Sequence, residues 1–313
     1  MNQLLPRIQA LQPLLAWLKS NPKSVTPLVL LLGLSVLRRL NQSLSYRSLN
    51  NHLQPRKWDW RKEIVLITGG SSGIGELIAR KLAKNSIKVV VLDLNPPRTP
   101  FPANVHFYNA NVTSSETIRE VANAVRSDVG NPTVLVNNAG VGSGQTILEE
   151  EEEMIRRTFD VNCLALFILA KEFLPSMIRE DHGHVLTIAS MASFVTIASN
   201  VDYSCTKAGA LAFHEGLTQE LKYRYNAKHV RTSIVHPTWI RTPLLEPMLK
   251  RGNFPDMVLD PDTVADAVVA QILEGKSGQL FLPSSYSTAS QLRGFPTWLQ
   301  ERIRGSKRHV LQT

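Results

Sequence analysis

From Glu63 to about residue 283 the chain alternates two patterns. Short strand-like runs, the first two plainly apolar, at Ile64–Ile67, Lys88–Leu92, Val105–Tyr108, Thr133–Val136, His184–Ala189, Val230–His236 and Gln279–Leu282 are separated by longer segments with apolar residues at helical spacing. Continuous apolar runs of this length suit strands buried on both faces, so the alternation predicts a parallel sheet covered by helices. Local signals agree. Five glutamates at 149–153 favour the start of a long helix through Phe173 by complementing its dipole, and T-S-S-E at Thr113–Glu116 reads as a capping box. Asp260 and Pro261 read as a cap and first-turn proline for a helix reaching Leu273, and Tyr203 to about Arg224 forms another helix. Two average domains would fit in 313 residues, but the unbroken alternation argues for one α/β unit over 63–285, between an extension at 1–62 and a tail at 286–313.

The extension is apolar in two stretches. Leu4–Leu18 is interrupted by Pro6 and Pro13, whereas Val25–Leu37 carries no charge and is stopped by Arg38 and Arg39. The second run is shorter than the roughly 20 residues that span a bilayer squarely, so it reads as a short anchor or re-entrant helix at 25–37. Trp17 and the flanking lysines and arginines would then sit at the headgroups. The competing reading is a soluble helix packed on the body. A cleaved secretory signal is disfavoured because the run starts late and no small-x-small site follows.

Charge sharpens this reading. Residues 1–62 carry ten basic and one acidic side chains, and 293–313 carry five and one, while 63–292 carry 20 basic and 24 acidic. The overall charge of +9 therefore sits in flanks beside apolar segments, which fits an anionic membrane surface rather than nucleic acid. The two cysteines, Cys163 and Cys205, lack metal or redox spacing and read as buried reduced thiols of a cytosol-facing unit. His182 and His184, the close histidine pair, read as a solvated turn, and no metal is expected.

The chemistry concentrates in a few places. The first strand leads into T-G-G-S-S-G-I-G at Thr68–Gly75, where glycines let backbone approach a pyrophosphate at a helix N-terminus. The second strand ends in Asp93, about twenty residues on, placed to accept from both ribose hydroxyls of an adenosine. Tyr203 and Lys207 lie one helical turn apart, so an ammonium stands beside a phenol and favours its ionised form. Ser190 precedes them at the end of the fifth strand.

Five signatures thus occur in order: T-G-x-x-x-G-x-G at 68–75, N-N-A-G at Asn137–Gly140, Asn162 in F-D-V-N, Ser190, and Y-x-x-x-K at 203–207. In these the chain resembles the short-chain dehydrogenase/reductase family. Its apolar extension ahead of E-I-V-L-I-T-G-G resembles the membrane-associated branch that handles retinoids, steroids and long-chain alcohols. The resemblance implies a single Rossmann-type doubly wound parallel sheet and an oxidoreductase that moves hydride between a nicotinamide dinucleotide and a carbinol or carbonyl carbon. Tyr203 would exchange the proton, Ser190 would hold the substrate oxygen, Lys207 would hold the nicotinamide ribose, and Asn162 would open its helix and pass protons through water.

The implied dinucleotide contacts are Gly69, Ser71, Ser72, Gly73, Ile74, Gly75, Asp93, Asn111, Val112, Asn138, Ala139, Gly140, Tyr203, Lys207, Pro237, Ile240 and Thr242. Asn111 replaces the family's usual aspartate, and Thr238 replaces the usual glycine after Pro237. Asp93, with no basic residue at Ser72, favours NAD(H); Arg98 is the counter-signal for NADP(H). A lipophilic substrate is expected from Leu244, Leu245, Met248, Leu249, Phe254 and Met257, with Phe194 and Val195 opposite. The family also implies a homodimer through helices 154–173 and 203–223, although Ile155, Phe159, Leu166, Phe173, Leu211, Leu217 and Leu221 equally suit the chain's own sheet. The implied location is a membrane, of the endoplasmic reticulum or lipid droplet in a eukaryote. The competing functions are an NADPH-dependent ketone reductase of a biosynthetic pathway and a catalytically silent membrane-surface scaffold.

Overall fold

The computed structural model describes residues 20, 22–54, 56–250 and 254–311. The chain divides into two compact units, one up to His52 and one from Leu53 onward. In the first, helix α1 runs from Pro22 to Leu49 with Pro27 inside it. Leu30, Leu31, Leu32, Leu34, Val36 and Leu37 are all exposed, so the apolar surface encircles the helix instead of forming one stripe. The helix continues through Arg38 and Arg39; the cations end the apolar run but not the helix. The stretch Leu4–Leu18, with Trp17, lies outside the described residues.

The second unit is built on seven parallel strands in the order β3-β2-β1-β4-β5-β6-β7. They are β1 Ile64–Thr68, β2 Lys88–Asp93, β3 Val105–Asn109, β4 Val134–Asn137, β5 Gly183–Ile188, β6 Val230–Pro237 and β7 Gly278–Leu282. Every residue of β1, β4, β5 and β6 is buried, including the polar Arg231, Thr232, Ser233 and His236 of β6. Leu66 pairs with both Val90 and Leu135 at the centre of the sheet. Helices α2 (Gly73–Lys84) and α8 (Pro261–Glu274, which follows the short α7, Glu246–Leu249) cover one face, packing Ile78, Leu82, Val268 and Ile272 onto Val65, Ile67 and Val91. The other face is covered by α3 (Ser115–Asp128), α4 (Glu152–Phe159), α5 (Ala165–Arg179) and α6 (Val201–Tyr223), with Leu169, Phe173 and Phe213 among the packed residues. The order reverses between β1 and β4, and the loops leaving those two strands open the crevice where such sheets bind ligands.

Several expectations change. The helix after the β4 loop is capped at Glu151, not begun at 149, because Glu149 turns back to the Thr146 hydroxyl at 2.6 Å. The capping box at 113–116 does not form; Ser114 is the cap, accepting from Thr117 N–H at 3.2 Å, while Thr113 bonds the Asn111 side chain. His184 is not in a solvated turn but fully buried on β5, bonded to the Ser233 hydroxyl at 2.9 Å, and burial lowers it to about 3. His182 has a carboxylate partner, Glu63, at 3.1 Å. Cys205 is exposed and Cys163 half-buried, so neither thiol is a core residue. Leu166, Phe173, Leu217 and Leu221 are buried in the chain's own core, whereas Phe159, Leu164 and Phe167 are exposed. Among the described residues, the stretch long and apolar enough to cross a membrane is Glu152–Arg179. Leu166, Leu169, Phe173 and Met177 seat it in the core, so it is a packed helix of the sheet layer.

Candidate active site

The crevice is fastened by side chains from two of the sequence motifs, Thr68 and Asn138. The Thr68 hydroxyl accepts the N–H groups of Asn138 and Ala139 at 3.1 Å each. The Asn138 amide donates in return to the carbonyls of Thr68 and Gly69, both at 2.9 Å. Gly69 requires glycine on two counts, a φ of +63° and a hypothetical Cβ 2.9 Å from Ala139 Cα. Beyond it, α2 starts at Gly73 behind Ser72, whose side chain makes no capping bond. First-turn N–H groups and the positive dipole end are thus available to an anion.

Asp93 ends β2 and accepts from Ser71 N–H at 3.0 Å and Asn95 N–H at 3.1 Å, with lone pairs still facing the crevice. Its carboxylate therefore ties the glycine loop to the second strand. Asn111 also lines the crevice, but its amide oxygen already accepts the Thr113 hydroxyl at 2.8 Å. The crevice is one cavity of about 710 Å³. Of the residues expected to hold a dinucleotide, all but Ser71 and Gly75 line it, and so does Ser190.

β5 delivers Ser190 two residues past its end, where its hydroxyl accepts from Ala192 N–H at 3.1 Å and lines the cavity together with Tyr203. On α6, Lys207 is buried; its Nζ donates to the Ile188 carbonyl at 3.0 Å and lies 5.4 Å from the centroid of the Tyr203 ring. Burial pushes the phenol up to about 12, against a smaller downward pull from Ser190. Burial also brings the Lys207 ammonium down to about 8. The expectation that the ammonium alone draws the phenol toward neutrality is therefore corrected, because desolvation dominates and Lys207 is turned to a carbonyl. At neutral pH Tyr203 is protonated, and as such it is a proton donor.

Asn162 does not line the cavity. The helix expected through it is broken by a π-turn at Asp160–Leu164, a feature that accommodates an extra residue and turns a side chain inward. Asn162 there holds Val141 from both sides, accepting its N–H and donating to its carbonyl at 2.8 Å each, and also donates to Thr206 Oγ1 at 3.1 Å. Its amide oxygen and Lys207 Nζ lie 3.5 and 3.6 Å from where a Cβ on Gly140 would stand. After β6, Thr238 N–H bonds the Leu282 carbonyl at 2.8 Å, so the ladder continues one residue past Pro237 in place of a glycine turn.

The far wall joins residues expected to meet a lipophilic substrate with others, Ile197, Trp239, Asp256, Tyr286, Ile303 and Lys307, that carried no such signal. Leu244, Leu245, Met248, Val195 and Ile197 give it an apolar surface, while Phe254 packs edge-on against Trp239 and Met257 points to solvent. The tail returns to this wall through Tyr286 and through Ile303 and Lys307 of the C-terminal segment, near helix α9 (Thr297–Ser306).

Residues 63–252 match the family model described as short chain dehydrogenase. The chain belongs to the short-chain dehydrogenase family. Dehydrogenase RED2 of Cochliobolus heterostrophus is 42% identical over 228 residues, covering 70% of this chain and 85% of that protein. Epidermal retinol dehydrogenase 2 of Mus musculus is 32% identical over 266 residues, 82% of this chain and 84% of that one. Among solved structures, 3-ketoacyl-(acyl-carrier-protein) reductase from Brucella melitensis, complexed with NADH, aligns with a TM-score of 0.63 at 26% identity. The alignment covers 70% of this chain and 96% of the reductase. This short-chain dehydrogenase is an NAD(P)-dependent oxidoreductase, and its residues fit that cofactor. The loop is too close for side chains at Gly69 and Gly75, and an acceptor carboxylate stands at the end of β2. The Ser71 hydroxyl is buried there without a partner. Among the described residues no cluster suits a metal.

Proposed function

We propose that this dehydrogenase interconverts a lipophilic alcohol and its ketone or aldehyde, using NAD(H) in preference to NADP(H). The observation that carries the reading is a single cavity with the glycine loop and Asp93 at one end, Ser190, Tyr203 and Lys207 between, and apolar walls beyond. The bound dinucleotide supplies or takes the hydride and, when oxidised, brings a fixed positive charge. Tyr203 gives its proton to the substrate oxygen in reduction, and Ser190 bonds the same oxygen and sets its angle. Asn162 keeps Val141 in place beside the reacting groups, and Lys207 is held there by the Ile188 carbonyl. Asp93 supports the choice of NAD(H), since a carboxylate there repels a 2′-phosphate. Arg98, the counter-signal, is exposed and does not line the cavity.

The apolar walls and the retinol and estradiol dehydrogenases among its relatives support a retinoid, steroid or long-chain alcohol. The encircling leucines of α1 beside a basic flank support attachment to a membrane with the catalytic unit on the cytosolic side. Exposed Phe159, Leu164 and Phe167 support a homodimer through α4, α5 and α6. A second reading, reduction of a ketone as the physiological direction, is favoured by the likeness to a 3-ketoacyl-(acyl-carrier-protein) reductase. A panel of lipid alcohols and ketones, followed by nicotinamide absorbance with each cofactor, tests these statements. Faster turnover with the phosphorylated cofactor at equal concentration would overturn the cofactor choice, and no turnover across the panel would overturn the substrate class. Complete release by carbonate extraction would overturn the membrane assignment.

A further inference from the structure

Inside the otherwise apolar far wall stands a polar cluster assembled from three separate segments. Asp256 accepts from the Trp239 indole N–H at 3.0 Å and from Lys307 Nζ at 2.6 Å. Trp239 comes from the loop after β6, Asp256 from the segment before α8, and Lys307 from the turn that ends α9. All three line the same cavity as Tyr203 and Ser190. The Asp256 side chain is 17% exposed and that of Lys307 38%, so the carboxylate is largely sheltered while the ammonium reaches into open space.

An ion pair with one partner this exposed gives little net stability, because solvent screening and side-chain entropy offset the attraction. Apolar side chains would seal this wall at least as well, which leaves recognition as the function that calls for charge here. The donors and acceptors are unevenly committed. The carboxylate is held by two donors from different segments, and the indole is packed against Phe254. The ammonium, with three N–H bonds, gives one to Asp256. Its remaining donors are oriented by that bond, and Ile303, one turn earlier, also lines the cavity.

We propose that Lys307, oriented by Asp256 and Trp239, is a second recognition point of the substrate cavity. It takes a hydrogen-bond-accepting oxygen that the substrate carries away from its reacting carbon. This rests on the lipophilic-alcohol reading and narrows it. The favoured substrate is bifunctional, an apolar body with one oxygen at the catalytic end and another, as hydroxyl or carbonyl, at the far end. A site placed to bond such an oxygen favours the substrate that carries it, because a charge-assisted hydrogen bond is gained at the far end.

The test compares saturated α,ω-diols with monoalcohols of equal length, across a ladder of chain lengths, using the full-length enzyme with NAD. The wild type is expected to show its highest diol-to-monoalcohol ratio of kcat/KM, about tenfold or more, at one length that spans the cavity. In Lys307→Met that maximum flattens, and in Lys307→Arg, which keeps both the charge and donors, it persists. A wild-type ratio that does not rise at any length overturns the proposal without need of a variant. So does a Lys307→Met enzyme that loses activity on both series equally, since the pair would then only hold α9 in place. Failure to oxidise either series is a different result, and it overturns the lipophilic-alcohol reading itself.

Discussion

Gly75 offers the sharpest test of how the loop is built. A Cβ there would stand 2.2 Å from the Gly69 carbonyl oxygen, 3.0 Å from its carbon and 2.5 Å from Asn138 Nδ2. Two of these are backbone atoms, so the loop itself must move by more than an ångström to restore ordinary contact. That movement breaks the Asn138 bonds to Thr68 and Gly69, both 2.9 Å long. Overpacking costs about 1–3 kcal/mol and each lost hydrogen bond about 0.5–1.5 kcal/mol, so Gly75→Ala is expected to lose about 2–6 kcal/mol of stability. Urea denaturation followed by tryptophan emission measures it. The same displacement withdraws loop N–H groups from the pyrophosphate, and charge-assisted bonds of about 1.5–3 kcal/mol imply dinucleotide binding weakened by about 10- to 150-fold. Calorimetric titration with NADH reads this second effect. A variant with both values close to wild type would show that this contact does not shape the loop.

Asp93→Ala removes the carboxylate that repels a 2′-phosphate, and the ratio of kcat/KM for NADP to that for NAD should rise by about tenfold or more; an unchanged ratio would remove Asp93 from cofactor choice. Stability should also fall with acid. His184, His214 and His236 are buried, with burial lowering them from 6.5 to about 3, 4 and 4. Below pH 6.5 the unfolded chain therefore binds more protons than the folded one, and stability is lost as pH falls toward 4, by up to about 1.4 kcal/mol per pH unit per histidine. Denaturation midpoints that do not change between pH 6.5 and 5 would contradict this.

The sheet was legible because parallel strands buried on both faces are rich in apolar residues, and Ile64–Ile67 and Val134–Val136 are such runs, whereas Val230–His236 buries Arg231, Thr232, Ser233 and His236 among its apolar residues. The cofactor end was legible because close approach needs glycine and a ribose needs an acceptor at a fixed distance along the chain. What escaped depends on contacts between distant segments. Nothing local at Asn162 reveals that the helix shifts to a π-turn, since the reason is the pair of bonds to Val141, 21 residues away. His184 looked like part of a polar turn because its partner, Ser233, lies on another strand. The balance between Tyr203 and Lys207 was misjudged because spacing gives proximity but says nothing about desolvation, which here outweighs the neighbouring charge. Lys307 lies among the scattered basic residues of the tail, where no local pattern singles it out, and its partners Asp256 and Trp239 come from distant segments.

The central claim is that the Tyr203 hydroxyl carries the proton. Single-turnover reduction of a lipophilic ketone by Tyr203→Phe, beside an NADH titration of the same variant, tests it most directly. The rate is expected to fall by about 10²- to 10⁴-fold while dinucleotide affinity stays within about threefold, since only a hydroxyl has been removed. A variant that reduces the ketone at the wild-type rate would show that another group supplies the proton.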